Sequence, residues 1–143
     1  MLFRSAWLRR QGVVTVFACI TYPNPASVAF HERMDYETVG HYNKCGFKFG
    51  RWLDVVWMQK ELLPRADEPA PLLAFPQAQE LLPIMEKFAA SGWELIDSPA
   101  KAWLNGTADR GELIAALEEA DRQCGSCGCE FDPLYKRALA ILK

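Results

Sequence analysis

One stretch limits what this chain can fold into: Asn24 to Lys60, NPASVAFHERMDYETVGHYNKCGFKFGRWLDVVWMQK. It opens with a helix-start signal. Asn24 is a good N-cap and Pro25 suits the first helical position, so a helix is predicted to about Met34. Its apolar stripe is Ala26, Phe30 and Met34. Asn24, Ser27 and His31 fall at i, i+3 and i+7 and form a separate polar stripe. Tyr36 to Tyr42 alternates as a strand, and Lys44 to Gly50 reads as a loop because of Gly46 and Gly50. Arg51 to Leu62 is a second strand, with Trp52, Asp54, Val56 and Met58 on one face and Leu53, Val55 and Trp57 on the other. The two strands form an expected antiparallel hairpin.

Before this stretch, Val13 to Thr21 is apolar and β-branched almost throughout, which suits a strand covered on both faces. Ala6 to Gln11 reads as the end of a helix stopped by Gly12. The first five residues do not read as the start of a domain. Leu-Phe-Arg-Ser matches one reading frame of a common sequencing adapter, so the natural chain is expected to begin upstream.

After it the composition changes. Pro64 to Pro76 holds four of the nine prolines and reads as an extended linker. Helices are predicted over Gln77 to Ser91, over Ser98 to Asn105 with Pro99 at its first position, over Asp109 to Cys124 with Asp109 and Glu112 as a capping box, and from Asp132 onward. The fold class is therefore α+β: strand, helix and hairpin, then a small all-helical C-terminal domain.

Charge and cysteine usage narrow the partners. A formal charge of -2 over 143 residues offers no basic field for nucleic acid. No apolar run reaches the roughly 18 residues of a membrane span, and the arginine-interrupted N-terminus is no secretory signal. A soluble, cytoplasmic protein is the expectation. The five cysteines fit reduced thiols better than a disulfide framework, being odd in number and crowded at Cys124, Cys127 and Cys129. Those three thiols lack an obvious fourth metal ligand. Neither histidine is near, Cys19 and Cys45 lie in the other segment, and Glu130 or Asp132 would be unusual substitutes. A glycine-rich turn with free thiols is the preferred reading. A metal site and a redox disulfide stay as alternatives.

The segment from Ala6 to Gln59 resembles the C-terminal half of the GCN5-related N-acetyltransferase (GNAT) superfamily, in its phosphinothricin acetyltransferase-like branch. The residues that carry this are Pro23-Asn24, Ser27, His31-Glu32, Tyr36, Gly40, Gly46-Phe47-Lys48, Gly50, Trp52 and Asp54-Val55. The resemblance covers about 55 of the 143 residues. It divides the chain into 1–63, the C-terminal part of a GNAT domain; 64–76, a proline-rich linker; and 77–143, a small helical domain of unknown role. It implies acetyl transfer from acetyl-CoA to a small primary amine such as an amino acid or an analogue. It implies cofactor binding by Asn24 and Ser27, and His31 as the general acid that protonates the departing thiolate. An imidazole can exchange a proton at neutral pH, which suits that role; as residues alone, without the resemblance, His31 reads first as a polar helix residue beside a sheet. Lys48 and Trp52 are candidates for the substrate pocket, or ordinary sheet residues. His41 is expected on the strand surface.

Two departures from the branch stand out. Asp35 occupies a glycine position, which aspartate fills at small cost because it tolerates the left-handed region. The Q/R-x-x-G-x-G/A pyrophosphate signature is not in this chain, so it is expected to be inactive alone. Its first strand is expected to expose an apolar edge and to drive homo-oligomer formation. The rival reading is a non-enzymatic interaction or metal-binding module centred on the helical domain.

Overall fold

The computed structural model describes residues 2–143, with side chains from Ser5 onward; Met1 lies outside the described residues. The chain forms two compact units, residues 14–64 and residues 1–13 with 65–143.

The first unit contains β1 (Thr15–Tyr22), α2 (Pro25–Glu32), β2 (Glu37–Lys48) and β3 (Arg51–Glu61). The sheet order is β1-β3-β2, antiparallel throughout. Ile20, Val56 and Met58 form a small core, closed by Ala18, Val28 and Tyr36. The predicted alternation of β3 holds here: Val56 and Met58 are buried, whereas Trp57 on the other face is 40% exposed. The expectation that the first strand is covered on both faces does not hold within this unit. β1 is an edge strand with only Ile20 buried, and Phe17 on its opposite face is 56% exposed.

The region 44–50 is a correction. It continues the ladder instead of looping out, with Gly46 opposite Leu53 and Lys48 opposite Arg51. Phe49 (φ 54°) and Gly50 (φ 71°) make the two-residue turn. Positive φ at both positions matches the right-handed strand twist, and glycine takes the second without steric cost. The glycines suggested a loop because the irregularity lies earlier, at a bulge between Tyr42 and Gly46.

Helix α2 ends in a Schellman arrangement. Tyr36 N–H donates to His31 O at 3.0 Å and Asp35 N–H to Glu32 O at 2.9 Å. Asp35 holds the left-handed position at φ 61°, as expected for a residue replacing glycine there. Lys60 Nζ locks the corner by donating to Met34 O at 2.6 Å and to Asp35 Oδ2 at 3.2 Å.

The second unit contains α1 (Leu2–Arg10), α3 (Phe75–Ala89), α4 (Glu94–Asn105), α5 (Arg110–Cys124) and α6 (Asp132–Leu142). Helices α3 to α6 pack in sequence, and α6 also meets α3. Their core centres on Leu81, Met85, Phe88, Leu113, Leu117 and Tyr135. Phe88 stacks on Tyr135 with centroids 5.2 Å apart and rings 11° from parallel. α1 packs on α4, where Arg10 donates to Leu104 O through Nε (3.0 Å) and Nη2 (2.6 Å). It thereby satisfies a carbonyl that the helix end leaves unpaired. The linker is pinned rather than free at its end: Gln11 and Leu73 exchange backbone and side-chain hydrogen bonds, and Leu73 is buried.

Helix α4 starts four residues before the predicted Ser98, so Pro99 lies inside it. A proline early in a helix removes only one bond, and Glu94 and Asp97 suit the positive end of the helix. Helix α5 follows the prediction: Asp109 Oδ1 accepts from Glu112 N at 2.9 Å.

Candidate functional site

The polar stripe on α2 is real as geometry. Asn24 caps the helix, its Oδ1 accepting from Ser27 N at 3.2 Å. His31 Nδ1 lies 2.8 Å from Ser27 O. A carbonyl can only accept, so Nδ1 carries the hydrogen. Nε2 is then the ring atom left to take or give a proton. His31 is half-buried, set edge-on to Tyr36 with centroids 5.1 Å apart and to Phe30 at 5.4 Å. The aromatic pair and the Ser27 carbonyl fix the ring plane. Tyr36 is placed by the Schellman turn just described, so helix termination and ring orientation are one feature.

Lys48 and Trp52 sit elsewhere, at the tip of the β2–β3 hairpin. Trp52 is 60% exposed and contacts Phe47, its cross-strand partner, edge-on at 5.4 Å. Lys48 Nζ lies 5.0 Å from the Phe49 ring centroid. Among the described residues no hydrogen bond or ring contact joins either of them to α2.

A second polar group was not anticipated. His41, read as a strand-surface residue, has Nε2 2.8 Å from Asp54 Oδ2. Asp54 Oδ1 accepts from Lys44 N at 2.8 Å. Lys44 has φ 48°, so this carboxylate holds a left-handed residue inside the bulge. The pairing was hidden because the bulge changes which β2 residues face Asp54. The Lys44 amide, and then the His41 ring, hold the Asp54 carboxyl below its ordinary range. A depressed carboxyl pKa favours the fold above the unfolded value, and the benefit fades as pH falls through the folded value. The bulge should therefore loosen in acid. The Lys44 amide shift, followed by NMR, should titrate with a midpoint below about 3.9; a midpoint at or above that value would exclude this role for Asp54.

The three clustered thiols come together with Asp132, which sequence reasoning named only as an unusual fourth ligand. The donor atoms of Cys124, Cys127, Cys129 and Asp132 all lie within 4.8 Å of one another.

Comparison with known proteins bears on α1 and most of the first unit. Residues 3–57 match the family model described as the acetyltransferase (GNAT) domain. The matched residues run from α1 into β3. The chain is similar to the L-methionine sulfoximine/L-methionine sulfone acetyltransferase of Pseudomonas aeruginosa, 41% identical over 61 residues, covering 43% of this chain and 36% of that one. It is also similar to the phosphinothricin N-acetyltransferase of Streptomyces coelicolor, 44% identical over 55 residues, covering 38% and 32%. Among solved structures, yncA of Salmonella typhimurium with its cofactor acetyl-CoA aligns at 34% identity and a TM-score of 0.40, covering 43% of this chain and 35% of that one. The chain thus spans about a third of the length of the curated relatives it matches. Among the described residues, no helix is long and apolar enough to cross a membrane.

Proposed function

We propose that this GNAT segment serves an N-acetyltransferase that moves acetyl from acetyl-CoA to the primary amine of an amino acid or amino-acid analogue. The observation that carries the reading is the His31 tautomer. With Nδ1–H committed to Ser27 O, Nε2 is the ring atom left to exchange a proton, on the helix that the resemblance assigns to the cofactor.

The chemistry follows from that atom. The neutral amine attacks the thioester carbonyl, forming the C–N bond; the attacking nitrogen releases one proton to solvent, and the C–S bond breaks. A protonated His31 gives its Nε2 proton to the departing sulfur. Asn24 and Ser27 stand at the N-terminus of α2, where the helix end favours anionic or carbonyl-rich groups, and we assign them to the cofactor. Lys48 and Trp52, on the exposed hairpin tip, are assigned to the acceptor side. The amine class rests on the relatives named for methionine sulfoximine and phosphinothricin, which share an α-amino acid end.

The test is acetyl transfer from acetyl-CoA to these two amines, followed by thiol release. It is run on this chain and on the chain extended to the length of its relatives. Transfer is expected chiefly in the extended protein, because this chain spans only about a third of the length of these relatives. An extended, folded protein that acetylates neither amine would overturn the substrate assignment.

A further inference from the structure

The helical unit carries a group of side chains that acetyl transfer does not use. Cys124 is the last residue of α5 and Asp132 the first of α6; Cys127 and Cys129 lie in the seven-residue loop between them. The loop folds so that its donors converge. Cys124 Sγ is 3.1 Å from Cys127 Sγ and 3.6 Å from Cys129 Sγ. Asp132 Oδ1 is 3.5 Å from Cys127 Sγ and 3.4 Å from Cys129 Sγ.

The Cys124–Cys129 distance and both sulfur–carboxylate distances are close to those of a coordination tetrahedron, and the Cys124–Cys127 pair is shorter and would open on binding an ion. Zinc–sulfur bonds of about 2.3 Å and zinc–oxygen bonds of about 2.0 Å place sulfurs roughly 3.8 Å apart and sulfur and oxygen roughly 3.5 Å apart. The carboxylate is also oriented as a one-oxygen ligand. Its Oδ2 accepts from Gly128 N at 2.7 Å, which leaves Oδ1 facing the thiols. Such a fixed outer contact is typical of metal-binding carboxylates. The loop shape depends on Gly125, where an added Cβ would lie 2.3 Å from the Asp121 backbone oxygen. A disulfide explains the geometry less well, because it would use two sulfurs and leave the third thiol and the oriented carboxylate without a purpose.

We propose that Cys124, Cys127, Cys129 and Asp132 bind one zinc ion that ties the end of α5 to the start of α6. Binding replaces three thiol protons, which leave to solvent, while the carboxylate binds as it stands. Affinity therefore falls as pH falls, with three protons competing. The site is structural: four protein ligands fill the tetrahedron and leave no open position.

The test uses the full chain purified under reducing conditions, chelator-treated, then titrated with zinc chloride. One zinc per chain by elemental analysis, a rise in Tm on zinc addition, and protection of three of the five thiols from alkylation are expected. Cobalt substitution should give thiolate charge-transfer and tetrahedral visible bands. Asp132→Asn keeps an acceptor for Gly128 N–H and should remain folded, yet bind more weakly by at least the roughly 10-fold that loss of an outer-shell partner costs. Cys127→Ser should weaken binding further. Substoichiometric zinc with all thiols equally reactive, unchanged affinity in Asp132→Asn, or a Cys124–Cys127 disulfide forming equally with and without zinc would each overturn the proposal.

Discussion

His31→Gln should lower the rate of acetyl transfer by about 10²–10⁴-fold, the usual range for loss of a positioned acid or base. Glutamine retains an amide donor for the Ser27 carbonyl and a similar reach, but it cannot carry a proton to the leaving sulfur. The loss should therefore fall on kcat and kcat/KM together, with little change in KM for acetyl-CoA. These quantities are read on the chain extended to the length of its relatives, with circular dichroism as the check on folding. A fall of less than about threefold, well under the range for an acid–base group, would make His31 the polar helix residue that composition alone allows.

Phe88→Ala should destabilise the helical unit by about 3–5 kcal/mol. Phe88 is fully buried on α3, stacked on Tyr135 of α6 and 5.8 Å from the Phe131 ring. Truncation removes a large apolar contact and leaves a cavity that four packed helices close only in part. Against a typical total of about 5–15 kcal/mol, that loss is large enough to shift the urea midpoint far down or to leave the unit unfolded. The helical signal in circular dichroism during urea unfolding measures it. A loss under about 1.5 kcal/mol, below the range for such truncations, would mean that Phe88 is not central to this core.

Local signals in the sequence were read well where one residue determines one hydrogen bond. Asn24 and Asp109 cap α2 and α5 as their side chains require. Asp35 takes the left-handed position expected of it at the end of α2. Features set by tertiary context were less legible. Pro99 looked like a helix start, yet packing of Ile96 and Trp103 rewards an earlier one. The glycines of 44–50 looked like a loop, whereas the bulge that Asp54 stabilises lets the ladder run on to Lys48. That bulge also hid the His41–Asp54 pair, since register cannot be counted across an unknown number of extra residues. The thiols were visible by spacing, but the role of Asp132 was not, because it depends on a folded loop that turns one carboxylate oxygen toward them.

The central claim concerns α2. Its most direct test is titration of this chain with acetyl-CoA, followed by amide and imidazole shifts in NMR. The account predicts weak binding whose shifts concentrate at Asn24, Ser27 and His31, with the His31 Nε2 side of the ring responding. Shifts absent from those residues, or confined to the helices of residues 75–142, would contradict it.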